Sequence, residues 1–370
     1  MTELNTNYTV KLRVLSPVHV GAGPDKSWQR GFDFIEEGSK IYIFDRDRLF
    51  NSMSEQLLKN YTDALVRGKP GDVEKLLKEN VDLSAVATKI FDYEGKPLTT
   101  EIKPLIRSGL GEPYLPGSSL KGAIVSTVFH YLYKHVGPER YNRFINRDLL
   151  GDFDQSIMRF IRPTDVELGK TALSHVSLFN LYADGSSWES DWKDGFQINL
   201  EHFETDASGA FRLTISNGLG EFFRKIEEQV RRPLLPKYYN QTIKKDAPGE
   251  HLFDIINACS RDHIQREMDF FSEFDQAEDT DLILSQLRRL VKMTDESPRV
   301  AVLRMSGNSG FHSITGDWRF KDHRSTVRNP DKDNMTWSQS ERQKVPARYK
   351  SRKVLGLGEE LLLGFVRLEI

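Results

Sequence analysis

Hydrophobic positions along this chain change period several times, and each change predicts an element. Val10, Leu12 and Val14 alternate with Lys11 and Arg13, the two-residue period of a half-buried strand. Phe32 to Ile35 and Ile41 to Phe44 flank Glu36-Glu-Gly-Ser-Lys40 and predict a hairpin. From Asp45 the period turns helical. Leu49, Phe50, Met53, Leu57, Leu58, Tyr61 and Leu65 fit one face behind an Asp45 or Asp47 cap, and a second helical stretch covers about residues 72–90. Short strands are predicted over residues 157–161 and 173–180. Residues 184–194, rich in Gly, Ser, Asp and Trp, predict a turn or linker. Residues 196–203 and 211–215 alternate well enough to pair as a hairpin across Asp206-Ala-Ser-Gly209. Residues 219–293 are helical by pattern, with a proline-bearing loop over 231–248. A strand is expected after Pro298, and residues 361–370 form an apolar closing strand.

The clearest single stretch lies at the centre. Pro113, Pro116 and Gly117 make a turn that leads into Ser118 and Ser119, which suit a helix N-cap. Leu120, Ile124, Val128, Leu132 and Val136 then recur at every fourth position. A small-residue loop thus opens an amphipathic helix with Lys121 in its first turn. Such a start exposes unpaired N–H groups that suit a phosphate. A helix that is merely well capped fits the same pattern.

Composition narrows the class. Length (370 residues) allows two domains, and 38% apolar with 29% charged residues is ordinary for a globular protein. No run approaches the ~18 apolar residues of a membrane span, and the first eight residues are polar, without a signal-peptide core. The one cysteine, Cys259, excludes an intramolecular disulfide, fits a reducing cytoplasm and reads as a buried thiol. A formal net charge of −2 supplies no global field for nucleic acid. The distribution is uneven, however: residues 299–353 hold 13 Lys/Arg against 5 Asp/Glu. Nucleic-acid contact would therefore be a local groove, and a solvated basic loop fits the same count.

Catalytic chemistry is sparsely represented. None of the nine histidines forms a His-x-x-x-His pair, and no Walker loop or nucleophile elbow occurs, so neither a metal nor a cofactor is implied. The acidic doublets Asp152/Asp154 and Asp331/Asp333 read as solvated loops. His19 is the best candidate base, because it follows a strand and precedes Gly21-Ala-Gly23. A histidine there could activate a ribose hydroxyl without metal, although a packing or hydrogen-bonding role is the favoured reading. Backbone contact to RNA is better supported. Gly21, Gly23, Gly117, Gly122, Gly307 and Gly310 lack a Cβ to collide with phosphates, and Ser118, Ser119, Lys121, Arg304, Arg319, Lys321 and Arg324 stand beside them. Trp28, Phe311, Trp318, Phe320 and Trp337 are interleaved and suit stacking or core packing. The aromatics of a typical RNA-binding sheet are not evident, so loops are the expected contact surface.

Four segments carry a family resemblance. Tyr114-Leu-Pro-Gly-Ser-Ser-Leu-Lys-Gly-Ala123 resembles the proline-glycine-serine-lysine-glycine motif of the RAMP superfamily, the RRM-like proteins of CRISPR-Cas effector complexes. Leu15-Ser-Pro-Val-His-Val-Gly-Ala-Gly23, Arg159-Phe-Ile-Arg-Pro-Thr-Asp165 and Arg304-Met-Ser-Gly-Asn-Ser-Gly-Phe-His-Ser-Ile-Thr-Gly316 resemble one branch, the fifth Csm subunit of type III-A complexes. The resemblance implies an α+β chain of two ferredoxin-like domains. Residues 1–183 would form one, with a helical insertion over about 45–100. Residues 184–370 would form the other, with a helical insertion over about 219–293 and a basic loop over about 318–350. It further implies a non-catalytic subunit at the crRNA 3′ end, with crRNA, the backbone RAMP subunit, the small subunit, target RNA and a recruited host nuclease as candidate partners. A repeat endoribonuclease using His19 is the alternative.

Overall fold

The computed structural model describes residues 5–93, 101–136, 149–151, 156–184, 187–192, 198–216, 218–219, 228, 247–273, 280–307, 309, 351–355 and 361–370. Strand β1 (Asn5–Val14) buries Val10, Leu12 and Val14 on one face, as its alternation requires. After β2 (Trp28–Gln29), β3 (Phe34–Glu37) and β4 (Lys40–Phe44) form the expected hairpin, turned by Gly38 at φ 60°. The helix expected over 49–65 is two helices, α1 (Arg46–Asn51) and α2 (Glu55–Val66). Ser54 ends the continuity, because its hydroxyl caps α2 by accepting the Leu57 N–H. Helices α3 (Pro70–Asn80) and α4 (Leu83–Val86) follow, but the helical pattern stops there. Residues 87–92 form β5 (Ala87–Asp92) on β4, so Ile90 lies in a strand. Leu49, Tyr61 and Leu77 pack this helical insertion on Ile35, Tyr42 and Phe44.

The chain then makes β6 (Glu101–Lys103), α5 (Gly117–Val136), β7 (Ile161–Pro163), β8 (Thr171–Asp184) and β9 (Ser187–Trp192). Residues 157–159, expected in a strand, are instead a 3-10 turn capped by Ser156. The linker expected over 184–194 is also corrected, since β9 pairs with the end of β8. There follow β10 (Ile198–Phe203), β11 (Ser208–Ser216), α6 (Pro248–Glu273), α7 (Thr280–Thr294), β12 (Val300–Arg304), β13 (Ser351–Leu355), β14 (Leu361–Leu362) and β15 (Phe365–Glu369).

Two large sheets result. The first is antiparallel throughout, in the order β12-β15-β1-β11-β7. The second runs β14-β13-β8-β10-β6-β2, with β9 added on β8 and a parallel β10–β6 pair. Strands from both sides of residue 184 share each sheet. The hairpin expected from β10 and β11 does not form: β10 joins the second sheet and β11 the first, across a corner where Asp206 takes φ 69°. The closing strand divides likewise. Gly364, at φ 97°, bends the chain so that β14 and β15 enter different sheets. Helices α5 and α6 cover the first sheet, with Leu120, Ile124, Val128, Leu132, Phe253 and Ile256 against Leu12, Leu213 and Leu368. Among the described residues, no helix is long and apolar enough to cross a membrane.

Candidate nucleic-acid interface

The loop after β1 is laced to the C-terminal half of the chain. Leu15 donates its N–H to the Phe365 carbonyl, and Gly364 donates to the Pro17 carbonyl at 2.9 Å. His19 donates its backbone N–H to the Ser306 hydroxyl (3.0 Å), and the Gly307 N–H returns a bond to the His19 carbonyl (2.7 Å). The first and third glycine segments, almost 300 residues apart (|i−j| 287), therefore meet. The His19 ring is only 2% exposed. Its Nδ1 bonds the Glu201 carbonyl at 2.7 Å, and burial lowers its pKa. A Cβ on Gly21 would lie 2.8 Å from Nε2 of that ring, and one on Gly307 would lie 3.2 Å from Cδ2. These two glycines make room for His19. Gly23 differs: it takes φ 119° at the start of a 3-10 turn, with open space around it.

Under this loop sits Glu201, which is fully buried. Its carboxylate accepts two bonds from Arg107 (2.8 Å each) and the Leu105 N–H (2.9 Å), with Lys89 at 3.6 Å. Burial lowers the Lys89 pKa. Trp28 is engaged here as well, beneath the Arg107 guanidinium.

The start of α5 departs from the expected cap. Pro116 supplies the first carbonyl, accepting from Ser119 and Leu120, and Gly117 donates its N–H to the Asp165 carboxylate at 2.7 Å. A side chain 48 positions away thus takes the place expected for Ser118 or Ser119, and its charge already faces the helix dipole. A Cβ on Gly117 would fall 2.4 Å from the Pro163 carbonyl oxygen. Gly122 meets nothing within 4 Å. Two alanine substitutions in one helix should therefore have opposite signs. Gly117→Ala is expected to cost about 1–3 kcal/mol, because backbone must move. Gly122→Ala should add up to ~1 kcal/mol of stability through helix propensity. Urea denaturation checks both, and equal effects would remove the distinction.

A cleft of about 340 Å³ opens between α5, α6 and Met305–Gly307. Along α5 it is lined by Ser119, Gly122, Ala123, Ser126, Thr127 and His130, the i, i+3, i+4 spacing of one helix face. From α6 come Cys259, Ser260, His263 and Arg266, and Gly21 and Gly307 complete one side. Lys121 is half-buried on α5 and is not part of this lining. Arg304 is held firmly at the cleft. It donates Nε–H to the Leu363 carbonyl (3.0 Å) and Nη1–H to His263 Nε2 (2.7 Å), and its guanidinium lies over the Phe365 ring. At the α5–α6 contact, Asp262 receives His130 (3.3 Å), Lys134 (2.9 Å) and Arg266 (3.6 Å). Those partners, the His130 bond first, hold its carboxyl well below the usual carboxylate range. Burial pushes the His130 pKa down, and its Nε2 lies 3.3 Å from Asp262 Oδ2. Cys259 donates its thiol to the Thr127 carbonyl, and burial pushes its pKa up to about 12, which suits a structural thiol.

Of the residues singled out from sequence, Gly21, Ser119, Gly122, Arg304 and Gly307 line one cleft. Gly117, Ser118, Lys121 and Gly23 lie outside its lining. Gly310, Arg319, Lys321, Arg324, Phe311, Trp318, Phe320, Trp337 and both acidic doublets lie outside the described residues. Among the described residues, no cluster of three or more His, Cys, Asp or Glu could hold a metal ion. Sequence reasoning missed Asp165, Glu201, Asp262, His263 and Arg266. Asp165 closes the Arg-Pro-Thr-Asp segment and was the one with a local signal.

The RAMP superfamily model matches residues 11–320. The CRISPR system protein Csm5 of Streptococcus thermophilus is 30% identical over 132 residues, 32% of this chain and 36% of that protein. Csm5 of Methanocaldococcus jannaschii is 22% identical over 279 residues, 68% of this chain and 60% of that one. The chain thus aligns with about a third to three-fifths of the length of these curated relatives. Among solved structures, a chain of a type III-A Csm–crRNA–target RNA ternary complex superposes with TM-score 0.67 at 19% identity, covering 97% of this chain and 99% of that one. Crystalline T. onnurineus Csm5 gives 0.63, also at 19% identity, covering 96% and 99%.

Proposed function

The chain belongs to the RAMP superfamily, and from that premise we propose that it is a non-catalytic RNA-binding subunit of a type III-A Csm effector complex. In this reading it sits at the 3′ end of the crRNA, caps the backbone subunits and supports 3′-end maturation in a cytoplasmic antiviral complex. Its partners are the crRNA, the backbone RAMP subunit and the small subunit, with target RNA and a recruited host nuclease as further contacts. The observation that carries the reading is convergence. Segments around residues 21, 119–122 and 304–307, all chosen for backbone or cationic contact to phosphate, border one cleft. Such contacts are sequence-tolerant, as variable spacer RNA demands. We also propose two ferredoxin-like units and read them as interleaved. The order β15-β1-β11-β7, with α5 and α6 between its strands, supports this reading for one unit, which would draw strands from both sides of residue 184.

The endoribonuclease alternative is disfavoured by the burial of His19, since a general base must come within hydrogen-bond reach of the hydroxyl it deprotonates. The Lys121→Glu variant tests the reading. It is expected to melt like wild type, to retain less crRNA, and to lower the salt slope of single-stranded RNA binding by about 0.7, one phosphate contact. Sequencing RNA that co-purifies with the tagged chain should return constant 5′ repeat tags with ragged 3′ ends. Intact repeats, cut by purified wild type but not by His19→Ala, would replace this reading with the nuclease.

A further inference from the structure

We propose that the cleft between α5 and α6 is a pocket for one unstacked nucleotide of the bound RNA strand, its base inserted between the helices and its phosphate against Arg304 and Arg266. The inference rests on the RNA-binding reading above and assigns that reading a subsite.

Size is the first argument. A volume of about 340 Å³ lies at the small end of the ~300–1,000 Å³ typical of ligand pockets, enough for a single nucleoside and too little for stacked neighbours. Chemistry is the second. Cys259, Met305 and Phe365 are buried and form the apolar depth, while Ser119 and Ser126 are half-exposed nearer the mouth. A hydroxyl both donates and accepts, so it can satisfy the edge of any base, which is what a variable RNA requires. Charge is the third. Arg304 and Arg266 supply two guanidinium groups, and the first is pre-positioned by the Leu363 carbonyl and the Phe365 ring.

Gly122 is the fourth and most specific. It lies inside α5, is exposed on the cleft wall, and a Cβ there would touch nothing. The fold therefore has no steric need for glycine at a helical position where glycine is disfavoured. Gly21 and Gly307 are explained by the His19 ring, and Gly117 by Pro163. Gly122 is explained by a ligand that approaches the helix backbone at that point.

The test uses the full chain at low ionic strength with a short single-stranded RNA carrying one fluorescent purine analogue, moved position by position. Wild type should change the fluorescence of the analogue at one position and leave the others near their free values. Gly122→Phe, which fills the cleft, should abolish that signal and weaken RNA binding about tenfold, the loss expected when one base contact is removed. Ser126→Phe blocks the cleft from the next turn of α5 and should behave alike if Gly122→Phe folds poorly. A melting temperature at or above wild type certifies either variant. RNA that binds with no distinguishable position, or with a signal that both variants leave intact, overturns the pocket and leaves the RNA-binding reading standing. A blocked variant that loses a partner protein but keeps the signal would assign the cleft to a side chain of that partner. Wild type that binds no RNA at all overturns the RNA-binding reading itself.

Discussion

Glu201→Ala is expected to destabilise the protein by about 3 kcal/mol, through a carboxylate that is itself fully buried. Breaking a buried ion pair from one side costs ~3–5 kcal/mol, because the partner charge stays behind without compensation. The low end applies here. Arg107 and Lys89 keep 26% and 33% of their side chains exposed, so water relieves part of the penalty. The Leu105 N–H also loses its acceptor in a buried position. Glu201→Gln should cost less, since one amide oxygen can still accept from Leu105 while the attraction to both cations is lost. The two variants separate charge from hydrogen bonding in urea titrations. A double-mutant cycle with Arg107→Ala should show strong coupling, because these residues share two bonds of 2.8 Å. Glu201→Ala within 0.5 kcal/mol of wild type, a surface-like value, would mean that the carboxylate does not organise this region.

That residue also marks the limit of what the chain reveals before it is folded. Strand β1 and helix α5 are legible because each buries one face, so period and burial agree. Strand β10 is legible as a strand but not in its placement, because five consecutive residues from Asn199 to Phe203 are buried and no outward face marks its neighbour. A charged Glu201 and a His202 inside that run look like an outward face, although the pair is satisfied by groups from β5, β8 and the loop after β6. Its alternation still suggested a partner, and the nearest in sequence, β11, was the wrong one. Local pattern cannot show that β1 pairs with residues 208–216 and 365–369. The site divides in the same way. Glycine segments stand out because glycine and serine cluster visibly, whereas Asp165 and Asp262 act on groups 48 and 128 positions away. Nothing near them in sequence states that relation.

Acidification supplies the second large effect. Three buried histidines have pKa values below the ordinary value: His19, His130 and His202, the last pushed down to about 4. Burial is the first cause in each case, and it disfavours the charged ring. For His202 the bonding agrees. Its Nδ1 faces the Phe203 carbonyl at 3.1 Å and its Nε2 faces the Ser174 hydroxyl at 2.8 Å. A neutral ring donates to the first and accepts from the second, whereas a protonated ring has no lone pair left for Ser174. The sign then follows from linkage. Between about 4 and the unfolded value near 6.5, the unfolded chain binds the proton and the folded chain does not, so stability rises with pH. The His202 contribution is intact above about pH 6.5 and is lost as pH falls through that window, and those of His19 and His130 have the same sign. A downward shift from 6.5 to about 4 makes His202 alone worth about 3 kcal/mol. Asp262 adds a loss of the same sign at lower pH, because its folded carboxyl ionises more readily than a free one. Asp254 opposes them, since burial raises its pKa and its protonation favours the folded state. Urea titrations across this window should therefore show a steep acid loss, and His202→Asn should flatten it while lowering stability at neutral pH. Should the slope persist unchanged in His202→Asn, the ring is already protonated in the folded state and the Ser174 bond runs the other way.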